Sequence, residues 1–223
     1  PRSTLFPYTT LFRSVQGGAA PVNAYHFYNN GANVKLAYKF GQNPYYRDDG
    51  TVDGGTTGTL LGDATNTEWC RHIHIIQQDP DTGTFYMCTG DSDRTEQNEV
   101  KWFTGTYNTG TGAWTWTKIY EGADVNRMKA IGLVFVNGYI WWGSDDTYGT
   151  DYGIYRCAKA DIATLASHQR MYLANNQIVG LDITNGKLLA TKQPSAGERH
   201  PIITSRSKST RLNSSHGKLS RMP

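Results

Sequence analysis

Two runs rich in β-branched and aromatic residues, Leu133-Val134-Phe135-Val136 and Tyr139-Ile140-Trp141-Trp142, flank the dipeptide Asn137-Gly138. That arrangement specifies a hairpin, because Asn and Gly tolerate the positive φ angles of a type I′ turn. The same grammar recurs along the chain. His72 to Gln77 leads through Asp79-Pro80-Asp81-Thr82-Gly83 into Phe85 to Thr89, a second hairpin with a turn-forming link. Val100 to Thr104 is expected to pair with Trp114 to Tyr120, and Arg170 to Ala174 with Ile178 to Ile183 across Asn175-Asn176. Helical periodicity is nearly absent. The one helix expected is short, from Asp161 to Ser167, with Asp161 as its cap.

The order of turn, aromatic strand, Gly and Asp occurs at Gly83, Phe85-Tyr86, Gly90-Asp91 and again at Gly138, Tyr139 to Trp142, Gly143-Ser144-Asp145. Repeated antiparallel hairpins without intervening helices predict an all-β fold, an incomplete β-propeller of about four blades with a β-sandwich as the alternative.

The ends read differently from the interior. Thr4 to Ser14 is TLFPYTTLFRS and Lys208 to His216 is KSTRLNSSH, and both resemble in-frame translations of sequencing-adaptor oligonucleotides. The expected organisation is therefore a non-native segment over residues 1–14, a partial β domain over 15–204, and a second non-native segment over 205–223. Seven of the 22 basic residues lie in these ends and no acid does. The interior keeps 15 basic residues against all 19 acids, a net charge of −4 in place of the overall +3. A mildly acidic interior carries no electrostatic footprint for phosphate backbones, so no nucleic-acid partner is expected.

No apolar run of about 18 residues is present to span a bilayer as a helix. Cys70, Cys88 and Cys157 lack metal-ligand spacing and are expected to be buried thiols, with a Cys70–Cys88 disulfide as the alternative.

Candidate site residues follow from hairpin geometry. In an antiparallel pair the start of the first strand lies beside the end of the second. His72 and His74 begin one strand and Asp91 and Asp93 follow its partner, while Arg127 precedes the next hairpin and Asp145 and Asp146 follow it. Both groups are expected on one rim. His72 and His74, two apart, should share a face and leave Ile73 and Ile75 to the other. With Asp91 they form a possible divalent-metal set. As a general base beside Arg127, a His would suit an enzyme acting on a uronate, and bracing of the rim is the structural alternative. Asp93 and Asp146 are candidates for the two carboxylates that a glycosidase needs about 5 to 10 Å apart. Asp91 and Asp145 are read as turn caps, and Arg127 is expected to form a bidentate pair with Asp145 or, alternatively, with a substrate carboxylate. The tryptophans offer sugar platforms, although Trp141 and Trp142 point to opposite faces. The segment Tyr45-Tyr46-Arg47-Asp48-Asp49-Gly50 is a further candidate surface.

Over roughly Tyr38 to Cys157 the chain resembles bacterial sialidase-like propellers of the BNR, or Asp-box, group. The resemblance rests on Arg71-His72-Ile73-His74, Asp79-Pro80, Thr89-Gly90-Asp91, Arg127 and Trp142-Gly143-Ser144-Asp145. Thr106-Tyr107-Asn108-Thr109-Gly110, followed by Trp114, is similar to the Asp-box pattern Ser-x-Asp-x-Gly-x-x-Trp with one extra residue before the Trp. It implies a secreted or cell-surface protein that handles carbohydrate, as a glycosidase or polysaccharide lyase acting on acidic glycans, or as a non-catalytic scaffold for adhesion or protein interaction.

Overall fold

A computed structural model describes residues 22–28, 32–41, 68–70, 72–90, 100–122, 126–145, 151–184, 186–195 and 202–206, the last as backbone only. The described residues form an all-β structure of four antiparallel sheets. The first sheet pairs β1 (Asn23–Tyr28) with β2 (Asn33–Lys39). The second is a meander of β3 (His72–Gln78), β4 (Phe85–Gly90), β5 (Val100–Asn108) and β6 (Ala113–Gly122). The third contains β7 (Ala130–Val136), β8 (Tyr139–Ser144), β9 (Gly153–Ala158) and β10 (Gln169–Leu173). The fourth contains β11 (Ile178–Thr184), β12 (Lys187–Lys192) and β13 (Ile202–Arg206). β13 runs two residues past the expected boundary at Thr204, as an edge strand.

The Asn137-Gly138 turn forms as expected, with φ of 50° and 81°. Gly83 closes the β3–β4 turn at φ 77°. Arg170 to Ala174 and Ile178 to Ile183 do not pair with each other. β10 completes the third sheet beside β9, and β11 opens the fourth beside β12. Asn175-Asn176 therefore carries the chain between sheets. Ala174 and Ile178, on either side of that link, are buried together in the core between the two sheets, which a local hairpin would not achieve. The expected helix is replaced by two 3-10 turns, Lys159–Asp161 and Leu165–Ser167. Neither has a side-chain cap; the Asp161 backbone carbonyl, not its carboxylate, accepts from Thr164 N–H at 2.8 Å.

Three cores lie between four successive sheets. Ala24, Phe40, Ile73, Met87 and Phe103 fill the first; Cys88, Trp102, Leu133, Ile140 and Trp142 the second; Ile154, Ile178, Leu188 and Ala190 the third. The middle sheets are thus packed on both faces, and all six residues of β4 are buried. β7 contacts both β3 and β11, so the leading strands of three sheets are neighbours. Serial packing of this kind fits an incomplete propeller of about four blades; a two-layer sandwich would bury one face of each sheet and leave the other to solvent.

The same irregularity opens each of the last three sheets. β3, β7 and β11 bulge by one residue, at His74, Ile131 and Val179 respectively. One backbone pair beyond the bulge, His72 opposes Gly90, Asp145 N–H donates to Lys129 O at 2.7 Å, and Gln193 N–H to Gln177 O at 2.9 Å. A bulge inserts an unpaired residue and re-aims the side chains before it. Ile73 and Ile75 consequently enter different cores, contrary to simple alternation.

Candidate functional site

The bulge on β3 sets the geometry of the histidine pair. Extra length at His74 turns its ring alongside that of His72, with centroids 4.8 Å apart and planes 29° apart. Their Nε2 atoms meet at 3.0 Å. Gly90, opposite His72, has no side chain because none fits: a Cβ there would lie 2.5 Å from His74 Cε1. His72 is 9% exposed and the His74 side chain 4%.

Asp145, from the third sheet, places Oδ2 3.7 Å from His74 Nε2. The structure therefore joins His72 and His74 to an aspartate that the sequence reading had assigned to turn capping or to Arg127. The expected Arg127–Asp145 pair does not form: Asp145 faces His74, and its backbone N–H donates to the Lys129 carbonyl at 2.7 Å. Equivalent positions in the two hairpins gave the signal, but only the packing of one sheet on the next shows which aspartate reaches which histidine. Asp91, Asp93 and Asp146 lie outside the described residues, as does the Tyr45–Gly50 segment. The proposed metal set of His72, His74 and Asp91 lies partly outside them too; among the described residues no group of three or more His, Cys, Asp or Glu is arranged to hold a metal ion.

Arg127 sits elsewhere on the same rim. It belongs to a 3-10 turn, Asn126–Met128, whose carbonyls are held by two buried indoles: Trp142 Nε1–H donates to Arg127 O at 2.5 Å and Trp102 Nε1–H to Met128 O at 2.8 Å. Burial pushes the Tyr120 phenol above the usual tyrosine range against the Arg127 charge, and burial with the Asp151 charge pushes Tyr155 up against Arg170 and Arg127. Burial also pushes His168 down, outweighing the hydrogen bond between its ring and the Ile162 carbonyl.

Most of the tryptophans are committed to packing. Trp102 and Trp142 are fully buried and meet edge to face, Trp116 Nε1–H donates to Ala37 O at 2.9 Å, and Trp141 packs in the third core beneath Arg156. Trp114 stacks on Trp116 and meets His26 and Phe85 edge to face. In the β5–β6 turn the Asn108 carboxamide oxygen accepts from Gly110 N–H at 2.9 Å and Thr111 N–H at 3.1 Å. Cys70, Cys88 and Cys157 are buried free thiols, not a disulfide.

The fold and rim define an all-β, multi-sheet protein with a buried His–His–Asp contact. No protein-family model matches the chain, and no curated protein matches it. No helix among the described residues is long and apolar enough to cross a membrane.

Proposed function

We propose that this chain handles carbohydrate as part of a secreted or surface-exposed sialidase-like propeller, with His72, His74 and Asp145 as an acid–base group acting on an acidic glycan by hydrolysis or elimination. The observation that supports this reading is the run of contacts from His72 Nε2 to His74 Nε2 at 3.0 Å and from His74 Nε2 to Asp145 at 3.7 Å. An N–H···N contact needs one protonated and one bare nitrogen, so a proton donor and a proton acceptor stand side by side. Asp145 Oδ2, 3.7 Å from His74 Nε2, sets a carboxylate beside the imidazole pair, a combination that general acid–base chemistry uses. Asn108, which organises its turn at the position where the Asp-box pattern has Asp, supports the family reading at motif level.

A second reading, a non-catalytic scaffold for adhesion or interaction, is favoured by burial of both imidazoles. There the His74–Asp145 contact would brace the second sheet against the third. One experiment separates them: His72→Ala and His74→Ala are assayed for release of reducing or unsaturated sugar from acidic glycans, with thermal unfolding measured on the same samples. Lost turnover at an unchanged melting temperature is the expected result. Unchanged turnover rejects the catalytic reading, and a lowered melting temperature with glycan binding intact selects the scaffold.

A further inference from the structure

An aromatic recess lies between the first and second sheets, at the end of β3 away from His72. His26 of β1, Phe85 of β4 and Trp114 of β6 line it together with Ala24, Ala37 and Ile76. Its volume is about 280 Å³, counting the part open to solvent. Tyr25, also in the lining, is 41% exposed. The lining surface is almost wholly apolar, and no acidic or basic side chain other than His26 belongs to it. Burial, with the Lys35 charge, holds His26 below the usual imidazole range, so the lining is uncharged at neutral pH.

One polar atom in this wall is left over. Trp102, Trp116 and Trp142 each donate their indole N–H to a backbone carbonyl. Trp114 Nε1 is enclosed and donates to no group among the described residues. Its ring is nonetheless fixed, stacked on Trp116 at 5.3 Å and edge to face with Phe85 at 4.9 Å and His26 at 5.4 Å. Two bonds hold the sheets around it: Trp116 Nε1–H donates to Ala37 O at 2.9 Å and Lys35 Nζ to Gly112 O at 2.8 Å. Little ordering therefore remains to oppose a ligand.

An enclosed N–H without an acceptor leaves its desolvation unrepaid, and an occupant with one acceptor repays it. A sugar would bring several hydroxyls to a surface that offers one donor, and each unpaired hydroxyl adds a cost of the same kind. A flat ring instead meets aromatic walls in the offset and edge-to-face arrangements that rings favour. The volume falls just below the range of about 300–1,000 Å³ usual for small-molecule sites, which limits the occupant to a single ring or two fused ones.

We infer that this recess binds a small, uncharged aromatic molecule bearing one hydrogen-bond acceptor, such as an aryl ketone, whose oxygen accepts from Trp114 Nε1–H. The site lies at the opposite end of the second sheet from the histidine pair and stands whether or not the chain handles carbohydrate.

NMR titration of the isotope-labelled full chain with acetophenone, toluene and methyl glucoside tests it. The Trp114 indole N–H resonance is expected to move with acetophenone. Toluene has the ring without the acceptor and should bind about three- to tenfold more weakly, while methyl glucoside should leave the resonance in place. Trp114→Phe keeps a ring and removes the donor, so it should bring acetophenone down to the affinity of toluene. Thermal unfolding checks that this variant is folded; if it is not, the comparison of acetophenone with toluene in the wild type carries the test. A resonance that moves with none of the three, or equal affinity for acetophenone and toluene, overturns the site. A shift with methyl glucoside alone overturns it in favour of a sugar platform.

Discussion

Lys159 donates to both carboxylate oxygens of Asp79, at 2.7 Å each, although 80 positions separate them in sequence. Asp79 is wholly buried in the β3–β4 turn, and Lys159 follows β9, so the pair joins the second sheet to the third. Thr82 Oγ1–H at 2.8 Å and Asp81 N–H at 3.1 Å complete the carboxylate's partners. Asp79→Ala leaves the ammonium without its main acceptor and the turn without its clasp. The expected loss is about 2–4 kcal/mol, read from the urea midpoint at unchanged slope.

The same pair gives stability a definite pH dependence. Burial alone would raise the Asp79 pKa, but hydrogen bonds from Lys159, Thr82 and the Asp81 backbone outweigh it and hold the carboxyl below the usual aspartate range. A depressed folded value contributes stability above the unfolded pKa of about 3.9 that is lost as pH falls through the folded value. Lys159 runs the other way: burial would lower it, its bonds to Asp79 and Asp81 raise it, and its contribution is present below about pH 10.4 and lost above. Asp79→Asn should therefore flatten both limbs of a stability–pH curve. Limbs of undiminished depth in the variant would contradict the assignment.

Gly90 is the simplest handle on the histidine pair. Gly90→Ala places a methyl where the His74 ring lies, so the ring must move or the strand must shift. Overpacking of this kind costs about 1–3 kcal/mol. The His72 and His74 imidazole resonances should both move in an NMR spectrum, since their Nε2 contact cannot persist unaltered. Unmoved resonances would show that the ring has room the structure does not give it.

The thiols make a third measurable case. Burial, with Asp161 nearby, pushes Cys157 up to about 12, and Cys70 and Cys88 are equally enclosed. Because the thiolate is the reactive form, a disulfide-exchange reagent at pH 8 should titrate almost no thiol in the folded protein and all three in urea. A single thiol in urea would mean that two had paired.

Trp142→Phe should loosen the rim. The ring volume is largely kept, but the Arg127 carbonyl loses its indole donor and the stacking on Tyr155 changes. We expect a loss of about 1–3 kcal/mol in the urea midpoint. Stability equal to wild type would show that the indole does not hold the Arg127 carbonyl.

Local signals were legible where the chain itself decides the geometry. Asn137-Gly138 and Gly83 require positive φ, and those turns stand where the residues place them. Asn175-Asn176 shows the limit. It has the composition of a hairpin turn, yet a turn signal does not say which strand the chain meets next, and burial of Ala174 and Ile178 sends it to a new sheet. The strand starting at Gly153 and the one starting at Lys187 were not anticipated, and both are placed by pairing with earlier strands. At the rim, the spacing put His72 and His74 on one face and Ile73 and Ile75 on the other, whereas the bulge at His74 brings the two rings together and sends the isoleucines to different cores. The contact with Asp145 was not legible, because it depends on a bulge and on the packing of one sheet against the next.

The two ends of the sheet stack are chemically unlike. At the end where β3 finishes, Asp79 and Lys159 satisfy each other, and a solute arriving there finds charge already spent. At the end where β3 begins, two imidazoles, an aspartate, an arginine and a lysine stand within a few residues of one another along their strands, and Arg127 Nε has no acceptor among the described residues. The ion pair thus gives the described sheets a polarity: charge is neutralised at one end and gathered at the other.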